Sequence, residues 1–231
     1  MKLKNKLAVV TGVSKGIGLA TVKALLEKGA IVAGWGRTEP EIDNPNFHFF
    51  KVDIGDYEQV SAAWKATSSK LEMPCHILVN NAGLGYEATF EEMDIHLWEE
   101  MFRTNVHGLF YCSKVIIPQM KVMEAGHIIN IASIASTTGI EGMAGYCGTK
   151  FAVRGISQSM FKELRKSGIK VTSINPGSVN TNFFDPIDSV NANENMMRAE
   201  DVAESIIYIL QTSENYHPIE LEVRPLRPKG K

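Results

Sequence analysis

The chain has 231 residues, with 24 Lys or Arg against 26 Asp or Glu, so its formal net charge is −2. This length predicts one large domain or two small ones, and a hydrophobic fraction of 44% is typical of a globular core. The near-neutral charge gives no electrostatic reason to expect a nucleic acid or an anionic membrane surface as a partner.

The remaining composition disfavours membrane proteins, secreted proteins and metal-binding proteins. No stretch approaches the roughly 18 apolar residues of a membrane span, and the apolar run after Lys6 is too short for a signal peptide. The six histidines lack HxxxH or HExxH spacing, so no metal site is expected. Three cysteines without a CxxC pair indicate a reducing compartment, and we expect a cytoplasmic protein.

Short apolar runs rich in Val and Ile alternate with longer stretches of helical spacing. This alternation predicts an α/β fold, a doubly wound, Rossmann-type parallel sheet of about seven strands with helices on both faces, as a single domain over residues 1–231. The predicted strands are 7–10, 31–35, 47–52, 77–79, 127–131, 171–174 and 219–223. The predicted helices are 17–28, 56–71, 95–123 (in two pieces), 146–167 and 199–212.

A glycine-rich segment, Thr11-Gly12-Val13-Ser14-Lys15-Gly16-Ile17-Gly18, lies between the first strand and the first helix. Glycines there permit a tight turn and let the backbone approach a pyrophosphate, which the helix N-terminus binds with free N–H groups. The pattern is neither the GxxxxGK P-loop nor GxGxxG, so ATP-type phosphate chemistry is not indicated. Residues 83–88 fit GxGxxA but follow the fourth strand, and we regard them as a decoy.

Three further motifs follow that loop in the sequence. Asn80-Asn81-Ala82-Gly83 follows the fourth predicted strand, Ser133 ends the fifth, and Tyr146-x-x-x-Lys150 opens a predicted helix. With TGxxxGxG, these motifs in this order resemble the short-chain dehydrogenases/reductases, from Leu7 to about Val223. The resemblance implies an enzyme that transfers a hydride between a nicotinamide cofactor and a carbonyl or secondary alcohol.

The helix spacing of the YxxxK motif suggests how its residues cooperate. Positions i and i+4 share a helix face, so the Lys150 ammonium should lie beside the Tyr146 phenol and lower its pKa toward neutrality, for general acid–base catalysis. Ser133 would hydrogen-bond the substrate oxygen and stabilise developing charge. The resemblance implies that Asn105 completes the catalytic set by holding a water that links Lys150 to solvent. A strand-end cap for Ser133 and an ordinary mid-helix polar residue for Asn105 are the alternatives.

The resemblance also assigns individual cofactor contacts. Asn80 would approach the adenosine ribose, Lys150 the nicotinamide ribose and Thr181 the carboxamide. Asp53 would bind the adenine, with a loop cap as the alternative. The full set of expected cofactor-binding residues is Gly12, Ser14, Lys15, Gly16, Ile17, Gly18, Arg37, Thr38, Asp53, Ile54, Asn80, Ala82, Gly83, Tyr146, Lys150, Pro176, Gly177, Val179 and Thr181.

The end of the second predicted strand favours one of the two nicotinamide cofactors. Gly36 stands where an NAD-preferring enzyme carries an acidic residue for the ribose hydroxyls. Arg37 follows, and its guanidinium can donate two parallel hydrogen bonds to a phosphate, while Lys15 adds a second cation. We therefore expect NADP(H) in preference to NAD(H). Solvated surface cations are the alternative interpretation.

The residues expected around the substrate are apolar or small. They are 84–86, 134–135, Met143 and the region of Phe183, which favours an uncharged or weakly polar carbonyl compound. The C-terminal segment 219–228 lacks the V-D-G-G ending of the family's ketoacyl reductases and looks more like its NADP-dependent oxidoreductases of 3-hydroxy acids or ketones. A 3-ketoacyl thioester (ACP or CoA) reductase and a non-catalytic NADP(H)-binding sensor or scaffold remain the alternatives.

Residues 183–198 differ from the rest of the chain in being rich in Asn and Asp, with apolar pairs at 183–184 and 196–197. A polar loop with apolar anchors predicts a lid over the substrate, to which Arg198 could add a charge; a surface connection is the alternative.

The resemblance further implies a homodimer or homotetramer formed through the Tyr146 helix and the helix before it. The apolar side chains of the Tyr146 helix either form the surface between subunits or fill the core. They are Phe151, Ile156, Met160 and Phe161. Cys147 points about 100° away from Tyr146 on the helix, so we interpret it as a small buried residue rather than a redox group.

Overall fold

A parallel sheet forms the centre of the structure, a computed structural model that describes residues 1–184, 187 and 193–227, with Phe184 described in its backbone only. The strands, in chain order, are β1 (Leu7–Thr11), β2 (Ile31–Gly36), β3 (Phe47–Lys51), β4 (Cys75–Asn80), β5 (Gly126–Ile131), β6 (Ile169–Pro176) and β7 (Glu220–Val223). Their order across the sheet is β3-β2-β1-β4-β5-β6-β7, and all pairs are parallel. The doubly wound α/β fold expected from the alternating pattern is confirmed.

Helices cover both faces of this sheet. They are α1 (Gly16–Glu27), α2 (Tyr57–Leu71), α3 (Ile95–Phe102), α4 (Leu109–Met123), α5 (Ala144–Leu164) and α6 (Ala199–Gln211). Short 3-10 turns lie at Ile134–Ser136, Arg165–Ser167 and Asn182–Phe184. The helix α5 begins two residues before the predicted start, which places Tyr146 inside its first turn.

The segment predicted as two helical pieces over 95–123 is continuous. A π-helical turn, Arg103–Gly108, joins α3 to α4, and the residues at both junctions keep right-handed helical backbone angles. The chain therefore changes its hydrogen-bond spacing here without leaving the helix, a feature often found near functional sites.

The strands separate two apolar cores because successive side chains of a strand point to opposite faces. In β1, Ala8 and Val10 pack into the core beneath α1 and α6, whereas Leu7 and Val9 pack into the core beneath α2 and α4. All five residues of β1 are buried. Burial on both faces explains why the strands read as continuous apolar runs rather than as alternating ones.

The direction of connection reverses between β1 and β4, because the chain builds outward from β1 to β3 and then returns to add β4 beside β1. In a sheet of this kind, ligands bind beyond the carboxyl ends of the strands at that reversal point. The loops that leave β1 and β4 therefore lie where sheets of this kind bind their ligands.

Candidate functional site

A cleft of about 580 Å³ lies at the carboxyl edge of the sheet. Most of the residues expected from the sequence line this cleft. They are Gly12, Ser14, Lys15, Gly16, Ile17, Arg37, Thr38, Asp53, Ile54, Ala82, Gly83, Ser133, Tyr146, Lys150, Pro176, Gly177, Val179 and Thr181. Three other expected residues, Gly18, Asn80 and Asn105, are not among those that line the cleft.

The glycines of the first loop are required by the close approach of backbone segments. Gly12 has a φ of +70°, and a Cβ at this position would lie 2.8 Å from the Cα of Ala82. Gly16 has a φ of +58° and lies against Thr181. Gly18 packs directly under the carbonyl of Gly12, so it supports the loop from below rather than lining the cleft.

The loop and the start of α1 fit a dinucleotide pyrophosphate. The helix begins at Gly16, its N-cap residue Lys15 is extended, and no side chain caps this end of α1. The first N–H groups of the helix are thus left for a ligand, and the helix dipole adds partial positive charge. Bound here, a nicotinamide dinucleotide would supply the hydride chemistry that the fold itself lacks.

The loops after β1 and β4 are joined by hydrogen bonds between Thr11 and Asn81. The backbone N–H groups of Asn81 and Ala82 each donate to Thr11 Oγ1 at 3.0 Å. In return, Asn81 Nδ2 donates to the carbonyls of Thr11 at 2.9 Å and Gly12 at 3.1 Å. Asn81 lines the cleft, and the sequence analysis did not single it out.

The expected contact between Asn80 and the adenosine ribose is not what the structure shows. The Asn80 side chain is buried, and its Nδ2 donates to Ser113 Oγ at 3.2 Å and to Asn130 Oδ1 at 2.8 Å. Asn130 Nδ2 donates in turn to Ser157 Oγ at 2.9 Å. The last position of β4 faces the helices, so Asn80 links the sheet to α4 and α5 instead of reaching the cleft.

Tyr146, Lys150 and Ser133 meet at one end of the cleft. Lys150 Nζ lies 5.6 Å from the centroid of the Tyr146 ring and donates to the carbonyl of Ile131 at 2.8 Å. Tyr146 is 8% exposed and Lys150 is 5% exposed. Ser133 Oγ accepts from the N–H of Ala135 at 3.1 Å, so the serine caps the 3-10 turn while it also faces the cleft.

Burial is the largest cause of the pKa shifts of Tyr146 and Lys150. It raises the pKa of Tyr146 to about 12, against which a hydrogen bond with the Ser133 side chain acts in the lowering direction. Burial also lowers the pKa of Lys150 to about 8. The structure does not show the expected Tyr146 pKa near neutrality, because burial disfavours the phenolate more strongly than the Lys150 ammonium, which donates to a carbonyl, favours it.

Asn105 lies in the π-helical turn, and its side chain bonds to the loop after β4. Its Oδ1 accepts from the N–H of Leu84 at 2.9 Å, and its Nδ2 donates to the Leu84 carbonyl at 2.8 Å and to Thr149 Oγ1 at 3.0 Å. Thr149 Oγ1 donates to the Tyr146 carbonyl at 2.7 Å. Asn105 therefore ties the loop after β4 to α5, the helix that carries Tyr146, a contact that its sequence position does not reveal.

Two ion pairs connect the opposite end of the cleft to the helical segment 95–108. Arg37 Nη1 lies 3.8 Å from Glu100 Oε1, and Arg103 Nη1 lies 3.0 Å from Asp53 Oδ2. Asp53 Oδ1 also accepts from the N–H of Gly55 at 2.9 Å, which is the loop-cap arrangement considered as its alternative role. Asp53 thus caps its loop and lines the cleft at once.

The proposed lid over 183–198 is described only in part, since 185, 186 and 188–192 lie outside the described residues. The Phe183 ring lies 5.1 Å from the Tyr146 ring, and Ile187 is buried in the same apolar cluster. Arg198 does not add a charge to the cleft, because it pairs with Asp201 at 2.7 Å at the start of α6.

Within the described residues, no cluster of His, Cys, Asp or Glu could hold a metal ion. A search of the same part of the chain finds no helix long and apolar enough to cross a membrane.

Comparison with known proteins identifies a family whose members share this fold. The short chain dehydrogenase family matches residues 6–192. An uncharacterized oxidoreductase of Staphylococcus saprophyticus is 35% identical, covering 98% of this chain and 100% of the relative, and one of Staphylococcus aureus MRSA252 is 32% identical, covering 97% and 99%.

Among solved structures, the closed form of serine dehydrogenase complexed with NADP+ has a TM-score of 0.89 at 27% identity, covering 95% of both chains. An alcohol dehydrogenase from the archaeon Thermococcus sibiricus complexed with 5-hydroxy-NADP has the same fold, with a TM-score of 0.86 at 24% identity, covering 99% of this chain and 100% of that one. From its family match and its relatives, the chain belongs to the short chain dehydrogenase family of oxidoreductases.

Proposed function

We propose that this protein transfers a hydride between NADP(H) and a carbonyl compound or the corresponding secondary alcohol, with Tyr146 as the general acid and base. The observation that carries the proposal is the meeting of Tyr146, Lys150 and Ser133 at one end of a cleft whose floor is a glycine-rich helix N-terminus. That floor suits a pyrophosphate, and the buried phenol suits proton transfer beside it.

At neutral pH the Tyr146 phenol is protonated, the state that a general acid in carbonyl reduction requires. A phenol with a pKa of about 12 keeps its proton, which its Oη can then donate to the carbonyl oxygen of the substrate as negative charge develops there. Ser133 would donate a second hydrogen bond to that oxygen. The Lys150 ammonium, held beside the ring, would stabilise the phenolate left after proton donation.

The preference for NADP(H) rests on the residues that follow β2. Arg37 lines the cleft and is 67% exposed, so its guanidinium is accessible to a ribose 2′-phosphate. Position 36 is a glycine, so it lacks the carboxylate that binds the ribose hydroxyls in NAD-preferring enzymes. The NADP+ bound in the serine dehydrogenase structure, at 27% identity, supports this choice.

The substrate that we propose is uncharged and largely apolar. The described residues that line the cleft near Tyr146 carry no Arg or Lys apart from Lys150 itself, so nothing there would bind a carboxylate or phosphate group. Those wall residues are Leu84, Ile134, Ile140, Met143, Phe183 and Ile187.

We also propose a homodimer or homotetramer that uses α4 and α5. Phe110 on α4 is 53% exposed and Phe151 on α5 is 46% exposed, and both would be covered by a second copy. The core interpretation fits Ile156, Met160 and Phe161, which are partly buried against the apolar clusters of the interior. A cytoplasmic location is consistent with three free, buried cysteines.

The test compares the wild-type protein with Tyr146→Phe, measuring oxidation of NADPH and of NADH with ketones, diketones, 3-oxo acids and a 3-ketoacyl thioester. We expect turnover with NADPH and an uncharged ketone, and a loss of about 10²–10⁴-fold in kcat in the variant with NADPH binding retained. Turnover confined to the thioester would instead identify an acyl-chain reductase. NADPH binding without turnover on any substrate would favour a sensor, and near-normal activity of the variant would refute the role of Tyr146.

A further inference from the structure

Glu100 lies outside the cleft lining yet touches a residue on each of two loops beside it. On one side, its Oε1 lies 3.8 Å from Nη1 of Arg37, at the end of β2. On the other, Tyr86 Oη donates to its Oε2 at 2.8 Å from the loop after β4. The Glu100 side chain is 25% exposed, so the carboxylate is held between these partners at the edge of the site.

Among the described residues, the other charged side chains at this end of the cleft either form ion pairs or lie in the glycine-rich loop. Asp53 is bound by Arg103 and by the N–H of Gly55, and Lys15 lies in the loop before α1. The carboxylate of Glu100 is the one that forms an ion pair with Arg37. The hydrogen bond from Tyr86 fixes this carboxylate beside Arg37, so that a second anion at Arg37 would share the guanidinium with it.

We propose that Glu100 is a specificity-determining residue that competes with the 2′-phosphate of NADP(H) for Arg37 and so limits the preference for NADPH over NADH. The inference rests on the proposed role of Arg37 in binding that phosphate. A guanidinium that forms two parallel hydrogen bonds with a phosphate gives up its approach to the carboxylate, and the two anions repel each other. NADH lacks the 2′-phosphate, so its binding does not disturb the Arg37–Glu100 pair.

The first test is Glu100→Gln, because glutamine keeps an oxygen that accepts from Tyr86 while removing the charge that attracts Arg37. We expect the Kd for NADPH to fall about two- to fivefold, as for an exposed ion pair, and the Kd for NADH to stay unchanged. The fluorescence of the reduced nicotinamide measures both constants. Glu99→Gln is the matched control, since it removes the same charge from an exposed neighbouring position on α3 and should change neither constant.

The second test repeats Glu100→Gln in an Arg37→Ala background. If Glu100 acts through Arg37, the gain in NADPH affinity disappears there. A gain that persists would mean that Glu100 repels the phosphate directly, and no gain in either background would mean that it has no role; each result overturns the proposal. Arg37→Ala alone tests the role of Arg37 separately from that of Glu100. NADPH binding that is unaffected by this change refutes the proposed function of Arg37 itself.

Discussion

Lys150 occupies its position against a free-energy penalty. The ammonium is 5% exposed, its hydrogen bond to the Ile131 carbonyl is the contact that compensates for lost hydration, and burial lowers its pKa from 10.5 to about 8. Below pH 8 the folded protein holds a buried charge that the unfolded chain would leave in water. In the proposed function, Lys150 would therefore stabilise the reaction at the expense of the stability of the fold.

We therefore predict that Lys150→Met stabilises the protein at pH 7 by about 1–3 kcal/mol and abolishes turnover. Since the pKa is lower in the folded state, the wild type regains stability as the pH rises from 8 toward 10.5, and the difference between the two proteins shrinks. Thermal unfolding of both proteins at pH 7 and pH 9.5 measures this. A variant less stable than the wild type at pH 7 would contradict the prediction.

Single residues show where sequence reasoning works and where it stops. The positions of Gly12, Tyr146 and Lys150 follow from motifs, because each is tied to a local geometry that the pattern reports. The two asparagines of Asn80-Asn81 look equivalent in the sequence, but Asn80 ends β4 and is buried, whereas Asn81 begins the loop and lines the cleft. The Tyr146 pKa depends on burial by distant segments, which local spacing does not contain.

At the scale of elements, the hydroxyl of one residue, Thr149, links α5 to the π-helical turn that holds the loop after β4. Thr149 Oγ1 accepts from Asn105 Nδ2 in the π-helical turn and donates to the Tyr146 carbonyl one turn earlier in α5. Thr149 is fully buried, so water cannot replace either bond. The π-helical turn, the loop after β4 and α5 are thus joined by a continuous series of hydrogen bonds.

We predict that Thr149→Val, which keeps the shape and removes the hydroxyl, lowers the free energy of unfolding by about 1–3 kcal/mol. The same variant should lose kcat, because Asn105 and Leu84 are no longer fixed against α5. Thr149→Ser restores the hydroxyl and serves as the matched control, which should retain most activity and stability. Denaturant unfolding and steady-state kinetics give the readouts, and a valine variant equal to the wild type in both would show the bridge to be dispensable.

The order and type of the elements were predictable because each strand is a continuous apolar run and each helix has an amphipathic period. The π-helical turn was not, since a shift in backbone hydrogen bonding has no side-chain signature. The early start of α5 was missed for a related reason. Residues Ala144 and Gly145 carry no capping pattern, and no side chain caps this helix.

For the whole molecule, the cleft joins segments from distant parts of the chain. Its walls come from the loops after β1, β2, β3, β4, β5 and β6, which meet only when the sheet is complete. A ligand that bridges these loops binds the folded protein and not the unfolded chain. Its binding free energy therefore adds to the stability of the fold.

We predict that NADPH at about 100 times its Kd stabilises the protein by about 3 kcal/mol and raises its Tm by about 5–10 °C. NADH at the same concentration should raise the Tm less, because it lacks the phosphate that Arg37 would bind. Calorimetry with each cofactor tests both statements. Equal shifts for NADPH and NADH would contradict the proposed preference, and no shift with either would contradict the cofactor site.

Trp35, the fifth residue of β2, belongs to the cleft lining, and its indole is fully buried and anchored by a hydrogen bond from Nε1 to Thr67 Oγ1 at 3.1 Å. An indole fixed in this way cannot rotate freely, and water cannot reach it. Its ultraviolet emission falls in the band that a reduced nicotinamide absorbs, so excitation energy would pass from the protein to a cofactor bound beside it. The fold would thereby carry its own optical reporter of the proposed cofactor binding, without any attached dye.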